Sequence, residues 1–290
     1  MISARSQRLS GRDCQLDLTQ PCIMGVLNIT PDSFSDGGQY LNTEAAVRQG
    51  LAMQQDGADI LDIGGESTRP GSLPVSAEEE LARVLPVIKG LRRKTDLPLS
   101  IDTSKAVVAR ETVAAGVNFI NDISGLSFDR DMVSAAAETG AGLFLMHTSG
   151  RPEVMQQLTE YRDLVAEIID SLRQSIDRAL LAGIDPGRLA VDPGIGFGKS
   201  VLGNLAILQH LNELHQLDCP VLLGTSRKSF IGKILNQDNP KERLFGTLAT
   251  IALGVSQGVQ IFRVHDVRPA RETALAAWAI REQQLPQLMV

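Results

Sequence analysis

The stretch MGVLNITPDSFSDGG, from Met24 to Gly38, contains the change of character that decides the fold. The run Cys22–Leu27 has the length of a strand and no polar alternation, which is typical of a strand buried on both faces in a parallel sheet. Asn28 ends the run, and the Pro-, Asp-, Ser- and Gly-rich segment after it predicts a loop. Phe34 either anchors that loop on itself or belongs to a lid over a site around Asn28. We favour the lid, because such a polar loop otherwise has little reason to keep a large ring.

The same unit recurs along the chain. Eight apolar runs alternate with eight longer helical patterns, which predicts a parallel sheet. Eight units in about 250 residues are typical of a closed (β/α)8 TIM barrel rather than an open sheet, and no dinucleotide-binding glycine fingerprint follows the first strand. The predicted strands are Ile23–Asn28, Asp59–Gly64, Leu97–Asp102, Asn118–Asp122, Gly142–His147, Leu189–Asp192, Val221–Gly224 and Gln260–His265. The predicted helices lie near 43–56, 76–94, 105–115, 129–139, 159–182, 200–216, 227–257 and 267–284.

The domain organisation follows from the same pattern. Residues 1–20 are polar, and we expect an irregular extension that covers one barrel end. Residues 21–290 contain no linker or low-complexity segment, so we expect them to form the single barrel domain.

Composition excludes several classes of protein. The net charge of −6 and the pI near 5.3 argue against sequence-independent nucleic-acid binding, which needs a basic face. The three cysteines have no paired spacing that would indicate disulfides or a zinc site. The amino-terminal segment lacks the apolar core of a signal peptide, and polar residues interrupt the apolar window 245–262. We therefore expect a soluble cytoplasmic protein with no membrane span.

Polar residues follow nearly every predicted strand. In a barrel of this kind the working site lies at the carboxyl ends of the strands. Each buried polar group there costs free energy unless it meets a partner, so the set predicts a binding site at one mouth. The set is Asn28, Asp62, Asp102, Asn121, His147, Asp192 and His265, with Lys228 just beyond the seventh strand.

Three of these residues suit a flat heterocycle. Asp102, Asn121 and Asp192 follow apolar runs directly. A ring edge with N–H beside NH2 offers two parallel donors to a carboxylate, and an amide can match a mixed edge. Alternatively, the three cap loops or orient each other, or Asp102 and Asp192 bind a hard cation. No HxH or HExxH spacing occurs, so we expect no caged transition metal.

Other polar side chains suit an anion. Arg263 and His265 share a face of the last strand and, with Asn28, could hold a diphosphate. The alternative is a structural network with Asp266. Lys228 opens a helix, where charge and backbone geometry favour anions; otherwise it is a surface residue.

Two more segments could contribute. Thr68 and Arg69, in the loop of residues 64–71, could close on an anion, unless this is an ordinary exposed loop. Phe197, within GIGFGK, is placed to pack against a flat ligand.

Taken together, these segments resemble the dihydropteroate synthase family, the sulfonamide-inhibited enzymes of folate synthesis. The resemblance spans about residues 20–285. It rests on MGVLNITPDSFSDGG, LDIGGESTRPG, SIDTSK, FINDISG, VDPGIGFGK, SRKSF and FRVHDV, in the family's order. One segment departs, because MHTSG at residues 146–150 lacks the Met-Gln-Gly expected after the histidine.

The resemblance implies a reaction and a set of roles. The family joins 6-hydroxymethyl-7,8-dihydropterin diphosphate to 4-aminobenzoate, and releases diphosphate and 7,8-dihydropteroate. The resemblance implies a pterin site formed by Asp102, Asn121, Asp192 and Lys228 and covered by Met146. It implies a diphosphate site formed by Asn28, Arg263 and His265, with Mg²⁺ on Asn28. It also implies an aminobenzoate site formed by Thr68, Arg69, Phe34, Phe197 and Ser229. Catalytic roles fall to Asp102, Lys228 and Arg69.

Two further expectations accompany that reading. The resemblance implies a homodimer, for which the apolar helices Leu244–Val255 and Thr273–Ile280 are candidate contact faces, unless they belong to the core. The alternatives to a synthase are a barrel that transfers methyl groups from a methyl-folate, and a non-catalytic pterin-binding paralogue. The first would not need the ESTRPG loop, the SRKS helix start or Arg263 with His265, and the second should show a damaged anion pocket or shortened loops, which the sequence does not.

Overall fold

The computed structural model describes residues 7–29, 39–67 and 72–286 of the chain. Ten strands occur in these ranges, and the last eight form one parallel sheet. The strands are β1 Arg8–Gly11, β2 Cys14–Asp17, β3 Cys22–Asn28, β4 Ile60–Gly64, β5 Leu99–Asp102, β6 Phe119–Asp122, β7 Gly142–Met146, β8 Leu189–Asp192, β9 Leu222–Leu223 and β10 Ile261–Val264.

The parallel strands close into a barrel. Their order is β8-β7-β6-β5-β4-β3-β10-β9, and a parallel bridge between Val191 and Val221 joins the two outer strands. The backbone N–H of Val191 also donates to the carbonyl of Pro220 at 2.9 Å. The (β/α)8 prediction is therefore confirmed, and all eight predicted strands occur within a few residues of their expected ends.

Nine α-helices lie between and after the barrel strands in the described ranges. They are α1 Gln39–Gln55, α2 Ala77–Arg92, α3 Ala106–Ala114, α4 Met132–Thr139, α5 Leu164–Leu181, α6 Val201–Gln209, α7 Ser229–Leu235, α8 Leu244–Ser256 and α9 Val267–Glu282. None of them is both long and apolar enough to cross a bilayer.

Two helix predictions were wrong in extent. The region predicted as one helix over residues 227–257 is interrupted, because Asn236 takes a left-handed conformation (φ 53°) and Pro240 begins a 3-10 turn before α8. The helix predicted over residues 200–216 ends as α6 at Gln209 and continues as a 3-10 segment, Leu211–Leu217.

The amino-terminal segment is more ordered than we predicted. β1 and β2 form an antiparallel hairpin, where an irregular extension was expected. Leu9, Leu16 and Leu18 are buried in one cluster with the inward-facing residues at the amino-terminal end of the barrel. Full burial of each such side chain contributes about 1.5–3 kcal/mol. The hairpin covers that end, as expected, while the domain boundary at residue 20 stays a prediction.

The hairpin lies close to the barrel at Phe119. A Cβ atom added to Gly11 would lie 2.6 Å from the Phe119 ring, so only glycine allows this approach. Phe119 also stacks against Phe144 with ring centroids 5.6 Å apart. Aromatic and aliphatic side chains therefore fill the amino-terminal half of the barrel, which leaves the opposite mouth for polar groups.

Candidate active site

Polar side chains line the carboxyl-terminal mouth of the barrel. Side chains on a strand alternate between faces, so the residue two positions after an inward apolar residue also points inward. Four strands show this change from apolar to polar along their inward face. The pairs are Ile60 and Asp62, Phe119 and Asn121, Ala190 and Asp192, and Ile261 and Arg263.

Arg263 bridges two of the acidic residues. Its Nε donates to Asp62 Oδ2 at 2.6 Å, and its Nη2 donates to Asp102 Oδ2 at 2.7 Å. Asn121 Nδ2 donates to the same Asp62 oxygen at 2.9 Å. Burial opposes the charge on Arg263, but the two carboxylates outweigh it and raise the arginine's pKa. Four strands are thereby joined by one hydrogen-bonded network, in which Arg263 and Asp62 link Asp102 to Asn121.

Asp102 keeps an acceptor free within this network. Only 6% of the residue is exposed, and its Oδ1 has no hydrogen-bond partner among the described residues. Burial, with a smaller contribution from Asp62, raises the Asp102 pKa to about 7 against the opposing effect of Arg263. A buried orphan acceptor costs about 1–3 kcal/mol, which a ligand donor would recover.

Asp192 and Lys228 lie on the other side of the mouth. A Cβ atom added to Gly224 would be 3.9 Å from Asp192 Oδ2, from Lys228 Nζ and from the Cβ of Arg263, so the three side chains surround this glycine. Burial raises the Asp192 pKa against the effect of Lys228. Burial lowers the Lys228 pKa to about 8, while Asp192 opposes that shift.

The loop after β8 connects to Lys228. The Nζ of Lys228 donates to the carbonyl of Ile195 in this loop, and it lies 4.7 Å from the centre of the Phe197 ring. Phe197 is half-buried, and Met146 is buried at the end of β7. Ser229 is exposed at the first position of α7.

Lys199 is a buried cation that the sequence reading missed. Its Nζ is 3.0 Å from His147 Nδ1 and 2.8 Å from the carbonyl of Phe197. Burial lowers the Lys199 pKa to about 7; burial and Lys199 together lower the His147 pKa to about 3. The signal was the lysine that ends GIGFGK, a segment in which only Phe197 was predicted to contribute to the site.

The segment that departs from the family pattern is held locally. Thr148 Oγ1 donates to the carbonyl of Gly150 at 2.8 Å, and Ser149 Oγ donates to the carbonyl of Met155 at 3.3 Å. The hydroxyl groups of Thr148 and Ser149 therefore bond to backbone carbonyls of the loop in which they lie.

The remaining predicted residues have different placements. His265 Nδ1 lies 3.0 Å from Ser226 Oγ, whereas Asp266 pairs with Arg227 rather than completing the network that we had considered. Asn28 is half-buried at the end of β3, and a Cβ atom on Gly64 would be 3.4 Å from its Oδ1. Phe34, Thr68 and Arg69 lie outside the described residues.

A metal ion would find few protein ligands here. No group of three or more His, Cys, Asp or Glu side chains suited to a metal occurs in the part of the chain that the structure describes. Mg²⁺, however, commonly binds through few side chains and takes its other ligands from substrate phosphates and water. The Asn28 amide oxygen fits an ion of that kind.

Comparison with known proteins identifies the relatives of this chain. The family model for pterin binding enzymes matches residues 24–265. The dihydropteroate synthase of Synechocystis sp. is 47% identical over 258 residues, which are 89% of each chain. A structure of Xanthomonas albilineans dihydropteroate synthase with 4-aminobenzoic acid has a TM-score of 0.90, 44% identity, and coverage of 97% of this chain and 100% of that one. The Yersinia pestis dihydropteroate synthase in a sulfonamide drug complex has a TM-score of 0.89, 45% identity, and coverage of 95% and 99%.

Proposed function

The chain belongs to the dihydropteroate synthase family of pterin-binding enzymes, and from that membership we propose the reaction that it catalyses. It condenses 6-hydroxymethyl-7,8-dihydropterin diphosphate with 4-aminobenzoate to give 7,8-dihydropteroate and diphosphate. The observation that carries the proposal is the buried acceptor Oδ1 of Asp102 beside Asn121. A ring rich in N–H donors satisfies it.

The pterin ring binds among four polar residues at the mouth. Asp192 accepts from the paired N–H and NH2 donors of the ring, while Lys228 donates to a ring acceptor. Asp102 and Asn121 contact the ring from the adjacent strands β5 and β6, whose register places these two residues side by side. Met146 and Phe197 cover the flat faces of the ring.

The diphosphate is bound beside the pterin. His265 and Arg263, on β10, contribute positive charge and hydrogen-bond donors, and Asn28 on the neighbouring strand β3 would hold Mg²⁺. When bound, Mg²⁺ supplies charge neutralisation to the leaving diphosphate. Arg263 reaches this role from its ion pairs with Asp62 and Asp102, which fix its position.

The reaction requires no protein nucleophile. The bond between the pterin methylene carbon and the diphosphate oxygen breaks, and the electron pair leaves with the diphosphate. The ionised carboxylate of Asp102 stabilises the positive charge that develops on the pterin. The amine nitrogen of 4-aminobenzoate then bonds to the methylene carbon and loses one proton to solvent.

The aminobenzoate site lies beside Phe197, towards the start of α7. Ser229 and the backbone there receive the carboxylate of 4-aminobenzoate, and Lys228 lies between the two substrates. Phe34, Thr68 and Arg69 complete this site, and Arg69 assists turnover. Sulfonamide drugs compete with 4-aminobenzoate at this site; the Yersinia pestis relative forms a complex with a sulfonamide drug.

The decisive assay measures diphosphate release from the pterin diphosphate with and without 4-aminobenzoate. We expect release that depends on the amine and that a sulfonamide inhibits competitively. Release at the same rate without the amine would contradict the proposal. The variant Arg69→Ala should slow turnover and leave pterin binding unchanged, and full activity of this variant would remove Arg69 from the catalytic set.

The active enzyme is a homodimer. An apolar groove of about 370 Å³ lies between α6, α7 and α8, and Ile234 (54% exposed) and Leu253 (40% exposed) line it. Phe245 is 80% exposed at the start of α8, within the first predicted contact face. We expect sedimentation to give the mass of a dimer and Phe245→Asp to weaken it. A monomeric wild-type protein would contradict this assignment.

A further inference from the structure

Asp62 lies beneath the proposed pterin pocket, and the role assigned to it so far is the ion pair that fixes Arg263. It is fully buried on β4, and one of its oxygens accepts two hydrogen bonds. The donors are Asn121 Nδ2 and Arg263 Nε, at 2.9 and 2.6 Å. Both belong to residues that we place at the ligand, so Asp62 acts on the pocket through them.

The contact with Asn121 fixes the direction of an amide. If the amide were flipped, the Asn121 carbonyl would face a carboxylate oxygen at the same short distance, and two acceptors would oppose each other without a proton between them. The carboxylate therefore selects the orientation in which Nδ2 faces Asp62. In this orientation the Asn121 Oδ1 is directed away from Asp62.

The neighbouring strand presents a second acceptor. Asn121 on β6 pairs in register with Asp102 on β5, whose Oδ1 is buried and has no partner in the described chain. Adjacent strands are about 4.8 Å apart. The Oδ1 atoms of Asn121 and Asp102 can therefore lie side by side at the mouth. Two adjacent acceptors favour a ligand edge that carries N–H donors.

Arg263 makes this arrangement durable. Its guanidinium is held by Asp62 and Asp102 together, so the Asp62 oxygen that accepts from Asn121 is fixed in position. Burial of the ion pairs makes loss of one partner costly, because the other charge stays buried.

We propose that Asp62 is a specificity-determining positioning residue: it orients the Asn121 amide so that its carbonyl accepts from the ligand, and thereby selects an amino-substituted ring over a keto-substituted one. This inference rests on the proposed function, since it assumes a pterin in the pocket. It concerns the choice between ligands rather than the chemical step.

The test uses two ligands that differ at one group. Calorimetry on the full chain compares the affinity for 6-hydroxymethylpterin with that for its counterpart in which a keto oxygen replaces the 2-amino group. We expect the wild-type protein to prefer the pterin at least 10-fold, since a site built to accept hydrogen bonds rejects an analogue that lacks the donor. In Asp62→Leu, which has no acceptor, the preference should fall at least about 3-fold below the wild-type value, while Asp192 still favours the amino group. In Asp62→Asn, which retains one oxygen acceptor, most of the preference should return.

A neighbouring residue provides the matched control. Ser100 is fully buried on β5, pairs in register with Asp62, and has a hydroxyl without a partner in the described chain. Ser100→Ala should therefore keep the wild-type preference. If Asp62→Leu does not fold, the double variant Asp62→Leu with Arg263→Met removes the unpaired cation as well, and the same loss of preference is expected.

Two outcomes overturn the inference: no preference in the wild-type protein, or an unchanged preference in Asp62→Leu or in the double variant. Both are distinguishable from failure of the proposed function. That failure would appear in the wild-type protein as diphosphate release that does not depend on 4-aminobenzoate.

Discussion

The two ends of the barrel interior differ in chemistry although the same strands build both. At the amino-terminal end the inward residues are apolar and are covered by the hairpin of β1 and β2. Two residues further along, which is about 6.6 Å, the inward residues are acidic, amide or basic. On β8, for example, Ala190 belongs to the apolar cluster and Asp192 to the mouth. The apolar residues at one end of a strand therefore stabilise the fold, while the polar residues at its other end bind the ligand.

The largest effect should come from breaking the apolar end. Phe119→Ala removes a fully buried ring that contacts both Phe144 and the hairpin. We expect the free energy of unfolding to fall by about 3–5 kcal/mol, because the truncation leaves a cavity. Denaturant titration measures this loss, and calorimetry at low temperature should show pterin binding within about 3-fold of wild type. Strongly impaired binding in the folded variant would mean that the two ends are not separable.

The converse change is made at the mouth. Asp192→Ala should weaken binding of the pterin diphosphate by about 2–4 kcal/mol, because the ring donors lose a buried charged acceptor. The free energy of unfolding should fall by about 1–3 kcal/mol, less than in Phe119→Ala, because the backbone N–H of Gly194 loses its buried acceptor on Asp192. Asp177→Ala, at an exposed position of α5, is the control. Unchanged affinity of the Asp192 variant by calorimetry would contradict the pocket.

Sequence patterns predicted the two ends unequally. Continuous apolar runs indicated the eight strands, and the polar residues that ended most of these runs pointed to the mouth, because strand period and barrel topology fix both. The hairpin was missed, since β1 and β2 are only four residues each and contain few apolar residues. The break after Leu235 was missed because the apolar pattern resumes at Leu244.

The periodicity of the sequence could not predict which side chains at the mouth form pairs. Arg263 was predicted to lie at the site, but its partners Asp62 and Asp102 are separated from it by 201 and 161 positions in the chain. Lys199 follows a glycine-rich segment and looks from its neighbours like an ordinary surface lysine. Only the folded loops after β7 and β8 bury it against His147.

A smaller effect should follow from removing the Lys199 ammonium. This group holds the loop after β8 against the end of β7, through Phe197 and His147. Lys199→Met should weaken pterin binding about 10-fold, which is about 1.4 kcal/mol, because the loop that carries Phe197 is released. Lys241→Met, on an exposed 3-10 turn, is the control. Calorimetry decides, and wild-type affinity would show that the loop is positioned without Lys199.

The smallest effect concerns pH. Asp102 must be ionised to accept from the ring, and its pKa is raised to about 7, so binding should strengthen as the pH rises through about 7. Lys228 must be protonated to donate, and its pKa is lowered to about 8, so binding should weaken as the pH rises through about 8. Titration with 6-hydroxymethylpterin avoids the ionisation of the diphosphate.

The matching variant is Asp102→Asn. It should remove the rise in affinity near pH 7 and keep the decline near pH 8, because only the carboxyl has been replaced. If the affinity still rises near pH 7 in this variant, a group other than Asp102 is responsible for that rise.

The brevity of β9 has a consequence for motion at the mouth. This strand pairs with β10 at two residues and with β8 through one bridge, whereas β3 and β4 pair at five. Local opening of a sheet costs least where the fewest interstrand bonds must break, so amide hydrogens at this seam should exchange with solvent before those of β3 and β4. The seam between β8 and β9 separates the strand that ends at Asp192 from the strand that precedes Lys228. Opening of this seam changes the distance between the charged groups of Asp192 and Lys228, which flank the ring. A ligand bound in the pocket should therefore slow deuterium uptake by the backbone amides of the seam.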